Sequence, residues 1–471
     1  MKKHLIALSL SLAFSSNFAA GAETVSLSNA GKTDLLNIYR QALQNDTQYK
    51  ISAANLRASE QGVSISRSSL LPQISGSASR SKSDNDRDTV ISGAAVLDGI
   101  QSGFDNDVNY TTNYRVQLNQ SLFNWGNWVA LDQAELRVRA SELTHGANLQ
   151  DLMSRSVQAY FNVLSAEENL TTTQAELETL GKQLDFIREQ YESGLANATD
   201  FLNAQANYDQ SVANEVTIKN TLSIAKESLR QLTNNYYVQL EGLGDEVDLK
   251  EPMPNNIDDW TRVAAQENLS LRAQQMNVKV AKKEIERNRS GHYPSLDLNL
   301  SYSDNDSDNN RLSIDGGGSS TSRTNSESDG YNAGITLSVP IFTGFRTSAQ
   351  TEQARQNYLS SSHQHEQTAR QVQASARNAF TALESAIASF RAYKRSLESN
   401  RSSLDATQEG YQAGIRNIID VLTATRSYYN ARRNLTRAKY DYLINGVNLK
   451  LAAGTLTEQD LETINQLLLK Y

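Results

Sequence analysis

Four stretches of the chain alternate apolar and polar residues with a period of two, and long stretches with a helical period separate them. Leu296, Leu298, Leu300 and Tyr302 fall on one side of a strand while Asp297, Asn299 and Ser301 fall on the other. Val108, Tyr110, Tyr114, Val116, Leu118 and Leu122 repeat the pattern, as do Tyr331, Ala333, Ile335, Leu337, Val339 and Ile341. The stretch after Pro72, with Ile74, Gly76 and Ala78, is weaker. Strands are therefore predicted at about 73–83, 108–122, 294–303 and 330–342. Ten or more residues with one apolar and one polar face suit a transmembrane β-barrel, and equally a soluble half-buried sheet. Residues 83–107 and 303–329, rich in Ser, Asp, Asn and Gly and including Gly316-Gly317-Gly318, read as long solvated loops, which favours the barrel. Four strands cannot close a barrel and lipid does not tolerate open sheet edges, so the pattern calls for several chains; three would supply twelve strands.

The remainder reads as helices, beginning with a single leading helix at about Leu35 to Ser69 and again at about Ile257 to Gly291, each running to a proline. No proline lies between Pro72 and Pro252. Trp128 to Ser193, if continuous, would make a helix roughly 100 Å long. Leu170, Leu177, Leu184 and Tyr191 recur every seven residues, with Leu180 and Ile187 between them, and Phe390, Leu397, Leu404 and Tyr411 keep the same register. That spacing is the period of coiled-coil packing. The run breaks at Gly194 and at Gly414, and a patterned helix resumes after Asp200 and Asp420, so each run folds back as a helical hairpin with its tip at the glycine.

These features occur twice. Tyr191 to Ala204 returns as Tyr411 to Ala424 with Tyr, Gly, Asn, Asp, Leu and Ala coinciding, and Ser83 to Asp88 returns as Ser303 to Asp308. Both offsets are 220 residues (Tyr191 to Tyr411, Ser83 to Ser303). A first repeat over 23–250 and a second over 258–455 are joined by a linker at 251–257 that contains Pro252 and Pro254, and residues 456–471 form a C-terminal segment.

Composition narrows the class. Only 38% of the 471 residues are hydrophobic, thin for three compact domains, which points to an elongated shape or a core shared between chains. A net charge of −8 has the wrong sign for a basic nucleic-acid binder, and the absence of cysteine removes disulfides, thiol nucleophiles and cysteine-based metal sites. Lys2 and Lys3, the apolar run from Leu5 to Phe14 and Ala20-Gly21-Ala22 read as a secretory signal over 1–22, with an uncleaved anchor helix as the alternative. No convergent nucleophile, base or metal set is visible, so neither an enzyme nor a bound cofactor is expected. Asp304, Asp306, Asp308 and Asp315 imitate a calcium-loop spacing without its glycine, and His363 and His365 fall on different helix faces; neither is read as a metal site.

Several stretches resemble the TolC family of trimeric outer-membrane ducts: Leu71-Pro72-Gln73, Tyr160 to Leu164, Ala213 to Val216, Pro294 to Asp297, both Tyr-x-x-Gly tips, Tyr442 to Asn445 and Gly454-Thr455-Leu456. The resemblance runs from about Leu35 to Asp460. It implies an α+β membrane protein: a homotrimer with a twelve-stranded barrel in the outer membrane, an α-helical barrel in the periplasm, and an equatorial belt that takes in the C-terminal segment. It also implies a periplasmic gate in which Tyr411 and Arg416 meet Gln183, Thr199 and Asp200 of neighbouring hairpins. Asp420 would form a ring of carboxylates at the constriction, without the second acidic ring of some members because Thr423 stands there. Gly194, Leu195, Gly414 and Ile415 would dock a periplasmic adaptor, itself carried by an inner-membrane transporter of the RND, MFS or ABC type. Read from the residues alone, Tyr411 is a last heptad knob and Arg416 a solvated charge, and Asp200 and Asp420 are helix caps, a role that is compatible with the gate and the ring. The expected function is an exit duct for efflux or type I secretion. A structural periplasmic coiled coil would leave the strands unexplained, and a general porin would leave the hairpins unexplained.

Overall fold

The computed structural model describes residues 32–91, 101–244, 249, 251–315 and 318–468. Residues 1–31, which include the signal segment, residues 92–100 of the first expected loop, 245–248, 250, Gly316, Gly317 and residues 469–471 lie outside them. The first repeat comprises α1 (Leu35–Asn45), α2 (Thr47–Ser68), β1 (Gln73–Ile91), β2 (Gln101–Phe123), α3 (Trp125–Glu192) and α4 (Ala198–Thr233). The second repeats that order with α5 (Ile257–Glu267), α6 (Leu269–Arg289), β3 (Ser295–Asp315), β4 (Gly318–Ser338), α7 (Arg346–Gln412) and α8 (Ile418–Ala453), and α9 (Glu458–Leu468) follows. Helices α3 and α7 hold 68 and 67 residues, about 100 Å each.

Each expected leading helix is in fact two. At Asp46 and Asn268 the backbone turns extended for one residue. The residue's own N–H closes the helix before it, on the carbonyls of Ala42 and Ala264. Its side chain caps the helix after it, accepting from the N–H of Tyr49 (2.7 Å) and Leu271 (3.1 Å). No proline or glycine marks either break, because one polar residue serves both helix ends, its backbone N–H the first and its side chain the second.

The strands form one antiparallel sheet in the order β1-β2-β3-β4, leaving β1 and β4 as its edges. They are 19, 23, 21 and 21 residues long, so the polar segments expected as loops are largely strand. The register explains the difference. Near the base, cross-strand rows such as Ile74–Leu118–Leu300–Ala333 and Gly76–Val116–Tyr302–Tyr331 are apolar on one face. Two residues further along, that face turns polar: Asp304 pairs with Asp329 and Asp306 with Glu327. Backbone pairing continues after the side-chain alternation has ended, and only the alternation is visible in sequence.

The main core lies where α1, α3, α4, α8 and α9 converge, around Tyr160, Phe161, Tyr440, Leu229 and Leu461. A smaller cluster of Leu180, Leu184, Ile187, Ala204, Val421 and Leu422 holds the two hairpins together near their tips. Of the first repeat's heptad residues, Leu180, Leu184 and Ile187 are buried, whereas Leu170 and Leu177 are only half-buried and Tyr191 is exposed. Among the described residues, no helix is long and apolar enough to cross a membrane.

Candidate functional site

The two hairpin tips are built alike. Helix α3 runs out at Ser193, and Gly194 adopts φ +74°; α7 runs out at Ala413, and Gly414 adopts φ +73°. Open space surrounds the Cβ position at both glycines, so it is the left-handed backbone that calls for glycine. The turns close through Leu195 N–H to the Gln190 carbonyl and Ile415 N–H to the Gly410 carbonyl, both 2.8 Å. Leu195 and Ile415 are left 80% and 79% exposed at the extreme of each hairpin, an apolar pair that no described residue covers.

The returning helices are capped by Asn197 and Asn417, whose side chains accept from the N–H of Asp200 and Asp420 at 2.8 Å. The aspartates are therefore not the caps. They occupy the first turn, where a carboxylate is favoured by the positive end of the helix dipole. Arg416 folds back over Gly410 and reaches Asp420 at 3.8 Å, with both side chains well exposed.

Between the tips lies an open cleft of about 740 Å³ lined by Gln183, Phe186, Gln190, Tyr411, Arg416 and Val421, among others. Tyr411 donates its hydroxyl to Gln190 Oε1 (3.3 Å), and Gln183 Nε2 donates to Thr425 Oγ1 (3.2 Å). Burial and the negative charge of Asp200 push the Tyr411 hydroxyl pKa upward, which keeps it a hydrogen-bond donor. Thr199 is exposed and does not line the cleft. Within one chain the structure thus gathers Tyr411, Arg416 and Gln183, brings Asp200 within electrostatic reach, and leaves Thr199 outside.

The links between α8 and α3 grow stronger away from the tip. Tyr429 bonds Thr179 Oγ1 (2.8 Å) and the Ala175 carbonyl (3.1 Å). Further along, Arg433 pairs with the buried Glu176, and buried Lys439 pairs with Glu168 at 2.9 Å, Tyr440 sharing that carboxylate. Neutral single bonds hold the tip, and charged, shielded ones hold the middle. The partners Gln190 and Thr425 were not expected; their only sequence signal is that Gln183 and Gln190 stand one heptad apart on α3.

Asp304, Asp306 and Asp308 lie on one face of β3, where Arg323 takes Asp308 (2.6 Å), and a straight strand cannot wrap a cation as a loop does. Among the described residues, no group of His, Cys, Asp and Glu is placed to hold a metal ion.

The family model described as "Outer membrane efflux protein" matches residues 38–235 and 260–455. The chain is 36% identical over 437 residues to outer membrane protein TolC of Escherichia coli (strain K12), covering 93% of this chain and 85% of that one. It is 29% identical over 436 residues to the proteases secretion protein PrtF of Dickeya chrysanthemi, covering 91% and 89%. The crystal structure of the Campylobacter jejuni CmeC outer membrane channel superposes with a TM-score of 0.71 at 19% identity, covering 94% of each chain, which shows a shared fold.

Proposed function

The chain belongs to the outer membrane efflux protein family, and we propose that three copies of it close their four-stranded sheets into one twelve-stranded barrel. It is an outer-membrane protein that extends into the periplasm and serves as an exit duct for efflux and type I secretion. The observation that carries the trimer is the pair of unpaired sheet edges. Strands β1 and β4 each present a full row of unpaired N–H and C=O groups that lipid cannot solvate, and a threefold ring pairs every edge. The four hairpin helices of each copy then form the wall of a periplasmic tube.

In this reading the cleft around Tyr411, Gln190, Gln183 and Arg416 holds the tube nearly shut, with Thr199 and Asp200 facing the neighbouring copy. The exposed Leu195 and Ile415 beside Gly194 and Gly414 give a periplasmic adaptor an apolar foothold. The chain holds no nucleotide or proton-coupling machinery in its motifs, so an RND, MFS or ABC transporter of the inner membrane supplies the energy.

Asp420 carries the ion selectivity of the closed tube, because three carboxylates converging at one height concentrate cations. Reconstituted protein in a salt gradient should show a cation-selective reversal potential, and Asp420→Ala should move it most of the way to zero. A reversal potential that does not move takes Asp420 out of the constriction. Absence of any current from the wild-type trimer would overturn the duct itself.

A further inference from the structure

The face of the sheet opposite the apolar band is almost free of charge. From the row of Asn119 to the row of Asn109, six successive four-residue rows consist of Ser, Thr, Asn, Gln and Gly with one exception, Arg115. Its cross-strand partners are Ser77 and Ser303, its diagonal neighbours include Ser75 and Asn305, and Asn113 and Gln117 flank it on its own strand. Arg115 is exposed, and it has no hydrogen bond or ion pair to any described residue. The other charges of this face lie beyond that stretch: Asp297 at the base, and above it Asp107, Arg87 and Arg311, the last paired to Asp105 at 2.9 Å.

An unpaired guanidinium in a neutral field is a local maximum of positive potential. Tyr114 and Val116, its neighbours in β2, share the apolar face, so Arg115 points to the lumen once that face meets lipid. Twelve strands about 4.8 Å apart and tilted about 40° put the wall roughly 12 Å from the axis. An arginine covers about half that radius, which brings three guanidinium groups within about 10 Å of one another, one Debye length at 0.1 M salt.

We propose that Arg115 forms a threefold anion-binding ring in the barrel lumen that takes the carboxylate, sulfate or phosphate groups of outgoing solutes, and so determines how anionic solutes pass. The proposal rests on the trimeric duct reading. Guanidinium matches oxyanions through paired N–H donors, and the lining of serine and asparagine offers no competing charge. The ring lies far above Asp420 and has the opposite sign.

The test uses the gate-loosened chain carrying Tyr411→Phe and Arg416→Ser, in planar bilayers at about 0.1 M salt, with inositol hexakisphosphate added on the barrel side. The polyanion should block the current, Arg115→Gln should raise the half-blocking concentration at least tenfold, and Arg115→Lys should keep most of the block. Current without block, or block that is equal with Arg115→Gln, overturns the ring and leaves the duct standing. No current from any of these chains overturns the duct and the ring together.

Discussion

Tyr411→Phe combined with Arg416→Ser is expected to raise the conductance of the reconstituted protein by about an order of magnitude. Tyr411 makes one hydrogen bond to the other hairpin, at 3.3 Å, and Arg416 makes one long, exposed contact at 3.8 Å. Each is worth about 1 kcal/mol or less. Asp420 belongs to Arg416's own hairpin, so of the two contacts only the Tyr411 bond crosses between hairpins. A threefold assembly loses it in every copy, up to about 3 kcal/mol in total, which shifts a two-state population by up to about two powers of ten. The charged links at Glu176 and Glu168 are untouched, so the hairpins should splay at the tip and stay joined in the middle. Gln190→Ala alone should reproduce the Tyr411→Phe share of the effect, because Gln190 is the hydroxyl's acceptor. Single-channel recording decides: an unchanged current in the double variant removes these residues from the gate.

The hairpins were legible in sequence because their signals are local and doubled. Gly194 and Gly414 repeat at one spacing within one motif, and both prove to hold positive φ. The strands were legible only in part. Tyr302 closes the apolar rows of β3, and beyond it Asp304, Asp306 and Asp308 occupy the same face, so hydrophobic alternation could not reveal a strand that continues to Asp315. The breaks at Asp46 and Asn268 were hidden for another reason. A polar residue inside a helical pattern usually faces solvent, and only capping, with burial added at Asp46, distinguishes one that ends a helix.

In the cleft, Tyr411 and Arg416 were found through the resemblance; their in-chain partners depend on how two hairpins align, a tertiary fact with no local trace. Asp200 and Asp420 were offered as caps because aspartate favours that position, yet an asparagine three residues earlier already fills it. Arg115 was visible as a residue and invisible as a feature, because its isolation exists only after four strands are set in register.

Gly454→Ala is expected to cost about 3 kcal/mol or more, far above what its backbone angle alone implies. Gly454 holds φ +74° at the end of α8, a conformation that costs a non-glycine residue about 1 kcal/mol. Gly414 has nearly the same angle and would bear that cost alone, since nothing stands within 4 Å of its Cβ position. At Gly454 the added carbon would meet Asn268 Cα at 2.6 Å, the Glu267 carbonyl oxygen at 2.7 Å and Asn268 N at 2.8 Å. These are backbone atoms of the break between α5 and α6 and cannot rotate away. Asn268 is fixed besides by its bond to the Ala452 carbonyl (3.2 Å), and Gln150 on α3 holds the Gly454 carbonyl at 2.9 Å. Relief of the clash would pull apart the seam where α3, α6 and α8 meet, the anchored end from which the α7–α8 hairpin extends toward its tip. Thermal melting of the two alanine variants in detergent separates the contributions. Equal melting temperatures would show that the seam yields at little cost, and the anchored end would then be as compliant as the tip.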